Sequence, residues 1–193
     1  MSQLKELAAE AKHELLTHII PFWRGMRDDK FGGYYGYLSY DLALDEKAEK
    51  GCILNSRITW FFANAYLLYK DGGISEEECE AAGFKGEDLL AEAKHGYEFL
   101  REHCIDKEYG GIFWSLNYDG TPLDTTKHTY NQAFCIYALS SYYDAAGDKE
   151  ALELAFSLFD IIEERCTDEI GYLEAFTRAV SYTHLRAHET AAN

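Results

Sequence analysis

The sequence has little that bends, crosslinks or spans. Only two prolines, Pro21 and Pro122, interrupt 193 residues, so long helices are permitted over most of the chain. The five cysteines (Cys52, Cys79, Cys104, Cys135 and Cys166) are odd in number and include no C-x-x-C pair. That spacing excludes a disulfide framework and a structural zinc site. Cys104 and Cys135 fall inside apolar helical patterns and read as small buried residues. A reducing cytoplasm is the compartment such usage suits. No apolar run approaches the ~20 residues of a membrane span, and Met1 to Lys12 lacks the apolar core of a secretion signal. Basic residues are scarce: 18 stand against 34 acidic ones, for a net charge of −16. That field repels DNA and RNA and leaves a neutral small molecule unaffected. The P-loop, G-x-G-x-x-G, G-x-S-x-G and H-E-x-x-H patterns are missing, which removes the usual nucleotide, serine-hydrolase and zincin chemistries.

What is present is apolar and aromatic. Hydrophobic residues make up 47% and aromatics 15% of the chain, enough for a sizeable core. Helical periodicity predicts five helices, at about Gln3–Arg24, Ile53–Tyr69, Glu87–His103, Lys127–Ala145 and Lys149–Arg165. Pro21 is expected to bend or end the last turn of the first. The first, third and fifth are amphipathic. The second and fourth are apolar almost all round and must be covered on all sides. The chain therefore alternates outer, inner, outer, inner, outer.

The linkers repeat with the helices. Phe31-Gly32-Gly33-Tyr34-Tyr35-Gly36-Tyr37-Leu38-Ser39-Tyr40-Asp41 matches Tyr109-Gly110-Gly111-Ile112-Phe113-Trp114-Ser115-Leu116-Asn117-Tyr118-Asp119, and Gly111 follows Gly33 by 78 positions. Asp168 to Phe176 is a degenerate third copy. The paired glycines allow positive φ at a turn, and the alternating aromatics after them suggest a short hairpin. The acidic runs Glu76-Glu77-Glu78 and Glu163-Glu164 read as solvated faces or turns. One unit is thus an outer helix, a glycine hairpin and an inner helix. Such units bury their inner helices only by stacking side by side around an axis. About two and a half of them are expected here.

From Val180 to Thr190 the sequence resembles the read-through translation of a transposon-library sequencing adapter. Residues 1–178 are therefore expected to form one part of a larger domain, and 179–193 a non-native tail. His184 and His188 have the spacing of two ligands on one helical face, but on that reading they bind no metal.

Four residues are candidates for chemistry. Arg57 opens an inner helix, and a guanidinium presents rigid donors to an oxygen that gains charge. Its structural alternatives are a pair with one of the many carboxylates or a cap on a neighbouring helix. His128 and Tyr130 open the next inner helix and would face the same end of the axis, where loops gather into a pocket. Tyr130, Phe134 and Tyr137 also form an ordinary packing stripe. Trp114, in the second hairpin, could stack on a sugar or pack on a neighbouring helix. Trp60 reads as core.

The segments His18–Trp23, Gly32–Leu38, Asn55–Phe61, Lys127–Phe134 and Gly171–Phe176 together resemble the N-acylglucosamine 2-epimerase family, and within it the bacterial members that act on cellobiose. The resemblance implies an all-α (α/α)6 barrel, present in part, with a saccharide substrate and no redox or metal cofactor. It implies that a base takes the C2 proton of the reducing-end glucose. An enediolate then forms, and an acid returns a proton to the other face to give mannose. Arg57 matches the arginine that stabilises the enediolate, and Tyr130 a tyrosine that contacts the sugar. Two acid/base histidines of the family have no match in these residues, so the 193-residue chain is expected to be inactive. The alternatives are a family member acting on N-acetylglucosamine or mannose, a scaffold or sugar-binding module without chemistry, and a glycoside hydrolase on the same barrel.

Overall fold

The outer helix that opens the chain is continuous through one widened turn. In this computed structural model, which describes residues 2–179 (Ser2 by its backbone alone), α1 (Ser2–Glu14) runs into a π segment (Leu15–Ile19) and on into α2 (Ile20–Gly25). Pro21 does not end the helix. It sits in the first turn of α2, and the helix continues to Gly25. The Ile20 N–H bonds back to Leu15 O, one residue further than in an α-helix. This wider turn makes room for the proline ring and for the hydrogen bond it lacks. The expected tail falls, from residue 180 on, outside the described residues.

Two apolar helices form the inner layer, α3 (Cys52–Lys70) and α6 (Thr129–Ala146). The outer layer continues with α5 (Gly86–Phe99), which ends in a second π segment (Leu100–Cys104), and α7 (Lys149–Arg165). Helix α3 packs against α6 and α5, and α6 packs in turn against α7. Two buried hydroxyls of α3 are satisfied by the preceding turn: Ser56 Oγ donates to Cys52 O and Thr59 Oγ1 to Asn55 O. Gly96 allows the close approach of α5 to α3, since a Cβ there would lie 2.2 Å from Thr59 Oγ1. Ile58, Phe62, Leu89, Leu100, Leu139 and Leu158 fill the space between the layers, each contributing about 1.5–3 kcal/mol by burial. All five cysteines are buried and free.

Two expectations need correction. Glu76–Glu78 is neither a turn nor a mere solvated face but the first turn of a short helix, α4 (Glu76–Ala81). Ser75 caps it: Glu78 N donates to Ser75 Oγ at 3.2 Å, and Ser75 N donates to Glu78 Oε2 at 2.9 Å. Acids belong at that end of a helix, where N–H groups are free. Lys127 and His128 do not open the fourth helix. They are extended, because they pair with a strand further along the chain.

That pairing belongs to a pattern the periodicity did not reveal. The strands are β1 (Lys50–Gly51), β2 (Ser115–Leu116), β3 (Pro122–Asp124), β4 (Lys127–His128) and β5 (Ala175–Phe176). The expected hairpin exists in the second unit as β2 and β3, whereas in the first unit the segment after the glycine turn makes an isolated Leu38–Leu44 bridge. The other pairings cross units. Strand β1, just before inner helix α3, pairs antiparallel with β2 of the next unit, in the register Lys50–Leu116 and Gly51–Ser115. Strand β4, just before inner helix α6, pairs with β5 in the register Lys127–Phe176 and His128–Ala175.

Candidate functional site

Each inner helix starts from a buried ionic clasp. In the first unit Asp28 begins the glycine turn: its Oδ1 accepts from Lys30 N and Phe31 N, while Gly32 N returns to Asp28 O. Its Oδ2 accepts from Lys50 Nζ at 2.6 Å, and the same ammonium donates to Gly32 O at 2.7 Å. In the second unit Asp106 Oδ1 accepts from Glu108 N and Tyr109 N, and Lys127 Nζ donates to Asp106 Oδ2 at 3.0 Å and to Gly110 O at 2.9 Å. Both lysines are fully buried. Each has aromatic company: Lys50 lies 5.2 Å from the Phe99 ring centre and Lys127 4.3 Å from that of Phe113. The expected positive φ is found at Gly32, Gly33, Gly110 and Gly111, and it turns the carbonyls of Gly32 and Gly110 toward the lysines.

The electrostatics follow from the partners. Burial opposes ionisation of both carboxyls, but the Lys50 hydrogen bond and the backbone N–H groups hold Asp28 below the ordinary carboxylate range. Asp106 is held well below it, because Arg178 joins Lys127 there, with Nε 2.7 Å from Oδ2. Burial brings Lys127 down to about 8, with Arg178 adding to the fall and Asp106 resisting it.

These clasps hold the strands that lead into the inner helices; of the candidates His128 lies on such a strand, and Arg57 and Tyr130 lie on the helices that follow. Arg57 lies in the second turn of α3, exposed, with Cζ 5.8 Å from the centre of the Phe134 ring on α6. No carboxylate pairs with it among the described residues, so the ion-pair alternative is not realised there. Tyr130, half exposed, meets Phe134 edge-on at 4.8 Å. Trp60 is only partly buried and stacks on Tyr137 of α6 at 5.1 Å, so it joins the same face of the inner helices. Arg57, Phe134 and Tyr130 thus form one contact chain, with Trp60 and Tyr137 as a second contact across the same helix pair.

His128 and Trp114 form a separate cluster. Their ring centres are 4.3 Å apart, and His128 Nδ1 lies 3.9 Å from Glu174 Oε1. The cross-unit strand fixes this geometry: Thr129 N donates to Glu174 O and Thr129 Oγ1 to Leu173 O. The chain from His128 to Tyr130 links the two clusters, and so does the bond from Cys52 N, at the start of α3, to Trp114 O. Among the described residues no group of three or more His, Cys, Asp or Glu side chains is placed to hold a metal ion, and no helix is long and apolar enough to cross a membrane.

Reading the sequence for chemistry missed the clasps and the paired amides behind them. Asn55 Oδ1 accepts from Tyr34 N at 2.9 Å; at the matching place Gln132 holds both the N–H and the carbonyl of Ile112. The signal was available, because Asp28 and Lys50 recur as Asp106 and Lys127 beside the repeated glycines.

Known proteins resemble this chain in sequence and fold. The model of the N-acylglucosamine 2-epimerase family matches residues 33–192. A cellobiose 2-epimerase of Ruminococcus albus is 52% identical over 95% of this chain and 46% of its own length, so the chain spans about half the length of the curated relatives it matches. A sugar epimerase from a ruminal bacterium superposes with a TM-score of 0.80 at 54% identity, over 90% of this chain and 41% of that one. The cellobiose 2-epimerase of Bacillus thermoamylovorans gives 0.85 at 36% identity, over 97% and 45%. The helix pairs described above are therefore part of an (α/α)6 barrel. With the family's own pattern covering most of its residues, the chain belongs to the N-acylglucosamine 2-epimerase family.

Proposed function

We propose that the complete protein is a sugar 2-epimerase, converting the reducing-end glucose of cellobiose and related β-1,4-linked disaccharides to mannose. The observation that carries this reading is the 52% identity to a cellobiose 2-epimerase across nearly the whole chain. The geometry supports it. An exposed guanidinium with no carboxylate partner among the described residues, set against the Phe134 ring, suits a neutral sugar whose oxygens gain negative charge during reaction.

In this reading a base removes the C2 proton of the open-chain aldose, and the electron pair passes to the C1 oxygen. Arg57 donates to the resulting enediolate. Tyr130 and Trp114 bind the faces and hydroxyls of the sugar, and His128 holds its rim, oriented by Trp114 and the β4–β5 pair. Return of a proton to the opposite face of C2 completes the exchange without any redox change. The proton-transferring histidines belong, in this proposal, to the part of the ring this chain does not span.

The test replaces the matching half of the Ruminococcus albus enzyme with residues 1–179 and follows cellobiose in D2O. Epimerisation with solvent deuterium at C2 is expected, and Arg57→Ala lowers kcat about a hundredfold or more. Release of free glucose would favour a hydrolase. Turnover of N-acetylglucosamine or mannose in place of cellobiose would move the substrate assignment. Epimerisation by the isolated 193-residue chain would overturn the placement of the histidines.

A further inference from the structure

The two unit-to-unit contacts follow one register, which identifies a third, uncovered copy of the same surface. Counted from the glycine turns, Tyr37, Ser115 and Ala175 are equivalent, as are Leu38, Leu116 and Phe176, and Tyr40, Tyr118 and Arg178. In the second and third units the first two positions are covered by the preceding unit's lysine strand. Ser115 is 3% and Ala175 1% exposed, on Gly51 and His128 respectively. The third position reaches the preceding unit's turn. Tyr118 meets Phe31 edge-on at 5.4 Å, and Arg178 lies 5.2 Å over Tyr109, the equivalent of Phe31.

In the first unit the same positions are open. Tyr37 is 55% exposed and Tyr40 fully so. The Leu38–Leu44 bridge is made by Ser39 N donating to Ala43 O and Asp45 N donating to Tyr37 O. The Leu38 N–H therefore points to the outer edge, where the Leu116 N–H meets β1. Beside this edge lies an apolar hollow of about 320 Å³ lined by Pro21, Phe22, Met26, Leu38, Leu42 and Leu44. An unpaired edge with exposed rings next to an apolar hollow is a surface built to be covered.

We infer that Tyr37–Tyr40 and this hollow receive the closing unit of the complete (α/α)6 ring. Its lysine-bearing strand pairs antiparallel with Tyr37–Leu38, and the aromatic of its glycine turn lies under Tyr40. A second copy of this chain has no free strand of that kind among its described residues, because β1 and β4 are already paired. The inference rests on the register of the repeats and not on catalysis.

Amide exchange tests it in two settings. In the 193-residue chain the Leu38 amide is expected to exchange at least about a hundredfold faster than the Leu116 amide. Equal protection there would mean that a second copy or an internal contact covers the edge, and would overturn the inference. In the chimera with the Ruminococcus albus half, the Leu38 amide becomes protected. Tyr40→Ala then loses about tenfold or more of that protection, and Tyr40→Arg, the solution used at Arg178, keeps it. Tyr40→Ala with protection unchanged, or a folded chimera with a rapidly exchanging Leu38, would refute the docking site. Neither readout depends on turnover, so an inactive but protected chimera would count against the proposed function alone.

Discussion

The first and second units solve one problem with different numbers of charges. Asp28 faces a single ammonium, that of Lys50, in a fully buried pair. Asp106 faces Lys127 and also Arg178, which arrives from the third unit and bonds Glu108 as well. The amides behind them differ in the same direction. Asn55 supports one backbone group of Tyr34 and spends its own N–H on Gly51 O, whereas Gln132 clamps both groups of Ile112. The first clasp is closed within its unit. The second is shared, so its ionisation reports whether the third unit is in place. Burying an ion pair gains little net stability over apolar packing, but removing one partner is costly. These clasps are therefore better understood as devices that fix where an inner helix begins than as sources of stability.

Mutation separates the two. Asp28→Ala and Asp106→Ala each strand a buried lysine, and each should cost about 3–5 kcal/mol by chemical denaturation at pH 7. The Asp106 loss should shrink at higher pH, where Lys127 sheds its proton readily; equal pH dependence in both variants would erase the distinction. Next come the glycine turns. Both Gly33 and Gly111 have positive φ, but a Cβ at Gly33 would lie 2.5 Å from the Phe99 ring, against 3.1 Å from Gln132 Oε1 at Gly111. Gly33→Ala should therefore cost roughly 3 kcal/mol and Gly111→Ala roughly 1–2 kcal/mol, both read as shifts in denaturation midpoint.

Two smaller effects involve protons. Both carboxyls are held low in the fold, so they contribute stability above the ordinary aspartate value of 3.8, and this is lost as pH falls through their folded values. Lys127 has the opposite shift for a base, from 10.5 down to about 8. Between those values the unfolded chain binds the extra proton, so stability rises with pH in that window. Lys127→Met should abolish this alkaline rise. The smallest effect is at Arg178, which is partly exposed: Arg178→Ala should shift the denaturation midpoint least of these variants. Arg178 depresses Lys127, so its loss should also move the alkaline transition upward. An unmoved transition would show that the second clasp is as self-contained as the first.

Much of the architecture was legible because it is periodic. The Lys149–Arg165 helix, the inner character of Ile58–Tyr69 and the glycine turns all follow from local pattern, and tertiary packing agrees with it. The strands were not legible. A pair as short as Lys127–His128 has no periodicity of its own, and its partner Ala175–Phe176 lies far along the chain. The lysine adds to the ambiguity, since Lys127 looks like a solvated first-turn residue until Asp106 is seen beneath it. Of the candidate site, Arg57 stood out because a cation borders an apolar run. The Trp60–Tyr137 stack did not, since an aromatic inside an inner helix looks the same whether it faces the core or the axis.

The cross-unit strands also bear on how the chain responds to being cut. Inner helix α6 passes to α7 through Gly147, which is exposed, and Asp148, which is half-buried, a two-residue turn at the surface that a protease can reach. A nick there would not release the third unit. Strand β5 would stay on β4, Arg178 on Asp106, and α7 against α6. The cleaved chain should migrate as two fragments in denaturing gels and as one particle in native buffer. In this fold the units that repeat in sequence are offset from the pieces that hold together, and covalent continuity at the helix turns is the most dispensable of its connections.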